Sequence, residues 1–152
     1  MKIACLGGGP AGLYFAISMK LRDPSHDVTV IERNRADDTF GWGVVLSDET
    51  LANLHANDPE SADSIKEYFA YWDDIALVHQ GQRLVSSGHG FCGIGRKRLL
   101  LLLQARAAEL GVTLQFETDI EDIDALCAAH DLVVAADGVN SRVRAHFDAA
   151  FK

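Results

Sequence analysis

The sequence predicts an α/β fold built on a central parallel sheet, and three features near its start predict it. Lys2 to Leu6 is a short apolar run that ends in Gly7-Gly8-Gly9, the pattern of a buried strand running into a tight turn. Leu13, Ile17 and Leu21 then recur at helical spacing, which buries one face. Val28 to Ile31 is a second apolar run, completing strand–helix–strand within about 30 residues. Pro10 falls in the first turn of the helix, where its missing N–H leaves no bond unmade. Asp23-Pro24-Ser25 ends that helix, because proline cannot continue it and restricts the residue before it.

The rest of the chain reads in the same way. Asn34 to Thr39 is a polar loop, and Gly41-Trp42-Gly43 leads into Val44-Val45-Leu46. Ser47 suits a helix N-cap, with Asp48 and Glu49 favourably placed in the first turn. Asp58-Pro59 opens another helix, expected to reach Ala70. Ile75 to Val78 and Arg83 to Val85 flank Gln80-Gly81-Gln82 and predict an inserted β-hairpin. Gly88 to Gly95 reads as a glycine-rich stretch. A strong helix follows from Arg96 to Leu110, stopped by Gly111. Val112 to Phe116 and Asp131 to Ala135 read as strands. Asp137-Gly138 makes a turn, Ser141 caps, and a last helix carries Arg142, Val143 and Phe147. No repeat, low-complexity segment or interdomain linker appears, so residues 1–152 are expected to form one domain.

Composition narrows the function classes. The net charge is −8, whereas nucleic-acid and membrane-surface proteins carry a basic excess; neither partner is expected. Acidic residues gather in Asp58 to Asp74 and Glu117 to Asp131, both read as solvated faces. The longest apolar run, Leu99 to Leu103, is too short to span a bilayer. Met-Lys-Ile-Ala-Cys runs directly into a strand and turn, unlike a secretory signal. Cys5, Cys92 and Cys127 form no CxxC pair and read as buried thiols in a reducing cytoplasm. The histidines show no metal spacing, and His89 reads as a loop residue. Neither G-x-S-x-G nor a Cys–His constellation is present, so no catalytic residue is assigned. Nothing in the sequence signals an oligomeric state.

Gly7-Gly8-Gly9-Pro10-Ala11-Gly12 fits G-x-G-x-x-G in the context that gives the pattern meaning, after a strand and into a helix. Gly7 permits the turn, Gly9 lets a pyrophosphate approach the backbone, and Gly12 lets the helix pack closely on the strand. The positive end of the helix faces the anion. Glu32, at the end of the second strand and about twenty positions after Gly12, stands where an acid accepts hydrogen bonds from the adenosine ribose. That acid disfavours a 2′-phosphate here. The fold is therefore expected to be a Rossmann-like FAD/NAD(P)-binding domain.

Two basic clusters oppose a helix dipole. Arg96, Lys97 and Arg98 sit in a first turn, where cations are disfavoured. They are either solvated or compensated by a bound phosphate, with Arg96 the residue chosen for that contact. Arg142 and Arg144 repeat the pattern after Asp137-Gly138, at the carboxyl end of a strand, the ligand side of such a sheet. Trp42 has two readings, shielding a flat ring or packing. Phe69, Tyr71 and Trp72 are expected to pack together.

In order along the chain, these features resemble the flavin-dependent aromatic hydroxylases, the family of para-hydroxybenzoate hydroxylase. Gly7 to Leu13 with Val30-Ile31-Glu32-Arg33 is similar to that family's fingerprint for the ADP part of FAD. Ile94-Gly95-Arg96-Lys97-Arg98-Leu99 is similar to its hydrophobic-x-Arg-x-x-Leu helix start, whose arginine contacts FAD. Ile120 matches a position whose backbone touches the adenine end. Ala136-Asp137-Gly138 through Arg144 is similar to the Asp-Gly motif associated with FAD and NAD(P)H. Phe40 to Ser47 resembles a narrower group, which includes hydroxylases of aromatic CoA thioesters such as salicylyl-CoA and a hydroxylase of violacein synthesis. In this group Gly43, Val44 and Val45 lie near the flavin.

The resemblance implies FAD as cofactor, with NAD(P)H and O₂ as co-substrates and a small aromatic substrate, a CoA thioester among the options. It also implies truncation before the substrate domain, because the family's second FAD motif lies well past residue 152. Another FAD-dependent oxidoreductase, of reductase or halogenase type, and a non-catalytic dinucleotide-binding module are the alternatives.

Overall fold

The computed structural model describes residues 1–150. The elements run β1 (Lys2–Leu6), α1 (Pro10–Arg22), β2 (Asp27–Ile31), β3 (Gly43–Leu46), α2 (Asp48–Asn57), α3 (Pro59–Lys66), β4 (Ala70–Trp72), β5 (Ile75–His79), β6 (Gln82–Ser86), β7 (Phe91–Gly95), α4 (Arg96–Glu109), β8 (Thr113–Gln115), α5 (Ile123–Ala128), β9 (Leu132–Ala135) and α6 (Arg142–His146). The described residues group into two compact units, one of residues 1–39 and 100–150 and one of residues 40–99.

The first unit holds a four-stranded sheet in the order β8-β2-β1-β9, with every pair parallel. The expected central parallel sheet is therefore present. Its middle strand is buried as a continuous apolar run should be: Ile3, Ala4 and Cys5 are fully enclosed, the pattern of a parallel strand covered on both faces. Leu13, Ala16 and Ile17 of α1 are equally buried, each large side chain contributing roughly 1.5–3 kcal/mol by leaving water. Ala4, Leu6, Ile31 and Leu126 form a further cluster, joined by Ile120, Val133 and Val143.

The helix α5 was not expected. It starts where the Asp122 side chain, its N-cap, accepts a hydrogen bond from the Ala125 N–H at 2.8 Å. The acidic stretch around it also does more than face solvent. Asp131 accepts from the Lys2 N–H, Asp119 pairs with Arg142, and Asp124 lies 3.0 Å from His146 Nε2.

The second unit departs further from expectation. Helix α3 ends at Lys66 rather than reaching Ala70. The aromatic run behind it favours an extended backbone and supplies β4, which pairs with β7. The supposed glycine-rich stretch contains β7, whose other edge pairs with β3, giving a three-stranded sheet in the order β3-β7-β4. Glycine weakens a strand by leaving nothing to pack. Here Trp72 fills that space: a Cβ on Gly93 would stand 3.0 Å from its ring, and the same ring stacks on Phe91. Phe69 and Tyr71 meet edge to face, so the expected aromatic contact exists, with Phe69 half-buried just before β4 and Tyr71 exposed on it. The hairpin is present as β5 and β6, paired antiparallel, with Ile75, Leu77, Val78, Leu84 and Val85 all exposed.

Asp58 is buried and accepts a 2.6 Å hydrogen bond from the Ser61 hydroxyl at the start of α3, another acid of the solvated-face reading with a structural task. All three cysteines are free thiols, Cys5 and Cys92 buried and Cys127 half-buried. Among the described residues no helix is long and apolar enough to cross a membrane.

Candidate cofactor-binding site

The turn after β1 is shaped by contacts that only glycine permits. Gly7 has φ +105°, and a Cβ there would stand 2.3 Å from the Ala136 carbonyl oxygen. Its N–H donates to the Ile31 carbonyl at 2.8 Å. A Cβ on Gly12 would lie 2.0 Å from the Gly7 carbonyl oxygen, which is the close helix–strand packing the sequence implied. Gly9 is different. It is the N-cap of α1 with no side-chain cap, and a Cβ there would meet nothing within 4 Å. The backbone at the positive end of α1 is thus open, with Pro10 and Ala11 beginning the helix. Unpaired N–H groups at such a terminus form a ready anion site.

Glu32 follows β2 and reaches back to this turn. Its Oε2 accepts from the Gly8 N–H at 2.7 Å. Its Oε1 accepts from both the backbone N–H and the side-chain amide of Asn34, at 2.8 and 2.7 Å. The sequence assigned no role to Gly8 or Asn34. A Cβ on Gly8 would stand 2.9 Å from the Glu32 Cβ, so the bare glycine is what lets the carboxylate lie against the loop. Asn34, two positions after the acid, was the available signal for its partner. Arg33 is exposed beside it.

The segment after β9 completes the unit. Asp137 Oδ2 accepts from the backbone N–H groups of Arg142 and Val143 at 2.8 and 3.3 Å. Burial works against its charge, but the Ser141 hydroxyl and these backbone donors outweigh it and hold the carboxyl below its ordinary range. Its Oδ1 is buried without a hydrogen-bond partner among the described residues. Gly138 takes the left-handed backbone the turn needs, with φ +83°. Arg142 donates to Asp119 and, at 2.7 Å, to the Ile120 carbonyl, while Arg144 donates to the Val139 carbonyl. The protein's own acceptors therefore answer these two cations, and no phosphate is needed to explain them.

In the second unit Gly43, Val44 and Val45 lie on β3 opposite Gly95, Ile94 and Gly93. Gly43 is held against the Ile94 carbonyl, 3.0 Å from where its Cβ would be. Arg96 follows at the start of α4, its N–H donating to the Trp42 carbonyl. Its Nε is buried without a partner among the described residues. Arg98 instead lies over the Tyr68 ring, 4.4 Å from its centre. Trp42 is 99% exposed, which removes the packing reading of that residue. His89 has the loop role expected of it, with Nε2 2.7 Å from the Ser86 hydroxyl and its ring stacked on Phe91.

In the first unit Gly9 offers an open backbone at a helix start with Glu32 a fixed acceptor beside it, which fits a dinucleotide. The second unit, taken by itself, presents a buried Arg96 donor atom without an acceptor among the described residues.

The chain matches no family model. It is 46% identical over 147 residues to a salicyloyl-CoA 5-hydroxylase from Streptomyces sp, a match covering 97% of this chain and 28% of that protein. It is 35% identical over 154 residues to the protodeoxyviolaceinate monooxygenase of Chromobacterium violaceum, covering 99% of this chain and 40% of that protein. Among solved structures, the tetrameric 2-methyl-3-hydroxypyridine-5-carboxylic acid oxygenase superposes with a TM-score of 0.81 at 25% identity, over 96% of this chain and 42% of that one. CtdE in complex with FAD and a substrate shares the fold, with a TM-score of 0.64 at 16% identity over 78% of this chain and 30% of that one. The chain thus spans well under half the length of the curated relatives it matches. Those relatives are hydroxylating and monooxygenase proteins, which agrees with the family resemblance carried by the motifs.

Proposed function

We propose that residues 1–152 are the amino-terminal, FAD-binding portion of a flavin-dependent monooxygenase that hydroxylates an aromatic substrate, with an aromatic CoA thioester as the substrate class. The observation that carries this reading is the open helix start at Gly9 beside the fixed carboxylate of Glu32. A Rossmann-like domain uses that pair for the two ends of one diphosphate-linked nucleoside. The 46% identity to a salicyloyl-CoA 5-hydroxylase supports the substrate class.

In this reading the backbone of Gly7, Gly9, Pro10, Ala11 and Gly12 receives the pyrophosphate, whose charge the α1 dipole favours. Glu32 accepts from the ribose, with Arg33 alongside. Ile120 lends its backbone to the adenine end. Asp137 orders the N–H groups that follow Gly138. In the second unit Gly43, Val44, Val45 and Arg96 contact FAD on their own account, Arg96 as a donor. FAD, when bound, supplies the redox chemistry that links NAD(P)H and O₂ to ring hydroxylation. The chain's own residues bind it, orient it and limit access of water.

The test is made on the full-length protein. It should be yellow as purified, release FAD on denaturation, and oxidise NAD(P)H faster when an aromatic acyl-CoA such as salicylyl-CoA is added. Colourless protein that takes up no FAD would refute the cofactor assignment. Flavoprotein whose NAD(P)H oxidation responds to no aromatic compound would refute the hydroxylase assignment.

A further inference from the structure

We infer that Asn34 is a positioning residue that leaves Glu32 able to accept one hydrogen bond from the ribose, and so to read one hydroxyl rather than two. This rests on the dinucleotide reading above. A carboxylate offers about four acceptor sites, two on each oxygen. Oε1 already accepts twice from Asn34, through the backbone N–H and the side-chain amide. Among the described residues Oε2 accepts once, from the Gly8 N–H. One site on Oε2 remains. The two bonds from Asn34 also fix the rotation of the carboxylate, because they hold one oxygen from two directions. Gly8 holds the other oxygen and tolerates the approach only because it has no Cβ.

The loop carrying Asn34 is anchored independently of its side chain. The Asn34 carbonyl accepts from the Glu117 N–H at 3.0 Å, and the Glu32 carbonyl accepts from the Thr118 N–H at 3.0 Å. Removing the Asn34 amide therefore frees an acceptor site on Oε1 and loosens the carboxylate, while these backbone bonds persist.

The experiment measures binding of ADP, 2′-deoxy-ADP and 3′-deoxy-ADP to the FAD-stripped full-length protein by calorimetry, and FAD binding by fluorescence quenching. In the wild type, one deoxy analogue should bind about tenfold more weakly than ADP while the other stays within about twofold, the size of one charge-assisted hydrogen bond. Asn34→Ala should weaken FAD binding and narrow the gap between the two analogues, while the protein stays folded with a melting temperature lowered only by the loss of one hydrogen bond. Glu32→Gln should abolish the gap. The wild-type comparison tests the count of bonds without any variant. Equal losses for both analogues, or none for either, would overturn the one-bond inference with the dinucleotide reading intact. An unaltered gap in Asn34→Ala would overturn the role of Asn34 alone. Wild-type protein binding neither ADP nor FAD would overturn both the inference and the reading beneath it.

Discussion

The carbonyl oxygen of Ala136 lies 2.3 Å from the place a Cβ on Gly7 would occupy. The turn after β1 and the segment after β9 are thus in direct backbone contact, and Gly7 serves that contact as much as the turn itself. Gly7→Ala must displace backbone and also hold φ at +105°, where an L side chain is strained by roughly 1–3 kcal/mol. The expected loss of stability is at least about 3 kcal/mol, a large value for a single substitution. Gly9→Ala meets no neighbour and no positive φ, so its cost should stay near that of a lost N-cap preference, about 1 kcal/mol or less. On the proposed reading its effect should fall on FAD affinity instead, since the added methyl would stand where the diphosphate is expected to approach. Thermal melts with and without FAD separate the two: Gly7→Ala lowers both curves, and Gly9→Ala removes only the shift caused by FAD.

Asp137 links the same segment to pH. Its carboxyl is held below the ordinary range by the Ser141 hydroxyl and the N–H groups of Val143 and Arg142, against an opposing effect of burial. A folded-state value below the unfolded one means that the contribution is complete above the ordinary carboxylate range, about pH 4. It is lost as the pH falls through the folded value. Asp137→Ala should therefore cost about 1–2 kcal/mol at pH 7, by leaving the first-turn N–H groups of Arg142 and Val143 without that acceptor, while Ser141 still caps α6. The gap between wild type and variant should close in strong acid. Denaturant melts across pH 2 to 7 check the sign. A constant gap would mean that the charge is irrelevant.

The contrast between Gly9 and Gly93 shows what could be read from the sequence. Gly9 was legible because its neighbours in the chain supply its context, a strand before and a helix after, and β1, α1 and β2 formed as expected. Gly93 was misread because its strand is defined by partners distant in sequence, Val45 and Ala70, and by the Trp72 ring that occupies its empty side. Glu32 was legible as an acid at the end of β2. Its three donors were not, because hydrogen-bond saturation is set by where Gly8 and Asn34 fall in space. The charges at Arg142 and Arg144 misled for the same reason: helix-dipole repulsion is visible along the chain, whereas Asp119 and the carbonyls of Ile120 and Val139 answer it through folding.

Cys5 sits fully buried on the central strand, and that burial pushes its thiol up to about 11. The thiolate is the reactive form, so Cys5 should resist a disulfide reagent at pH 8. Cys92, raised by burial first and by the nearby Asp48 second, should resist as well. Cys127 is half-buried and should react first. Titration with such a reagent should show one fast thiol in the native protein and the others only on unfolding. The linkage has an alkaline sign: a folded value above the unfolded one leaves the contribution intact below about pH 9 and erodes it toward about 11.

Arg96 yields the prediction that separates binding from folding most cleanly. Its Nε is buried with no partner among the described residues, and leaving such a donor unmade costs about 1–3 kcal/mol. Arg96→Met keeps much of the apolar stem and deletes the unsatisfied donor. The FAD-free protein should then melt at the same temperature or higher. If Nε finds its acceptor on FAD, the variant should also bind FAD about tenfold or more weakly, since a charge-assisted bond is lost. Melting of the stripped protein and fluorescence titration with FAD measure the two effects independently. A variant that loses stability while binding FAD normally would show that Arg96 serves the fold, through its contact with the Gly41–Gly43 loop, and not the cofactor.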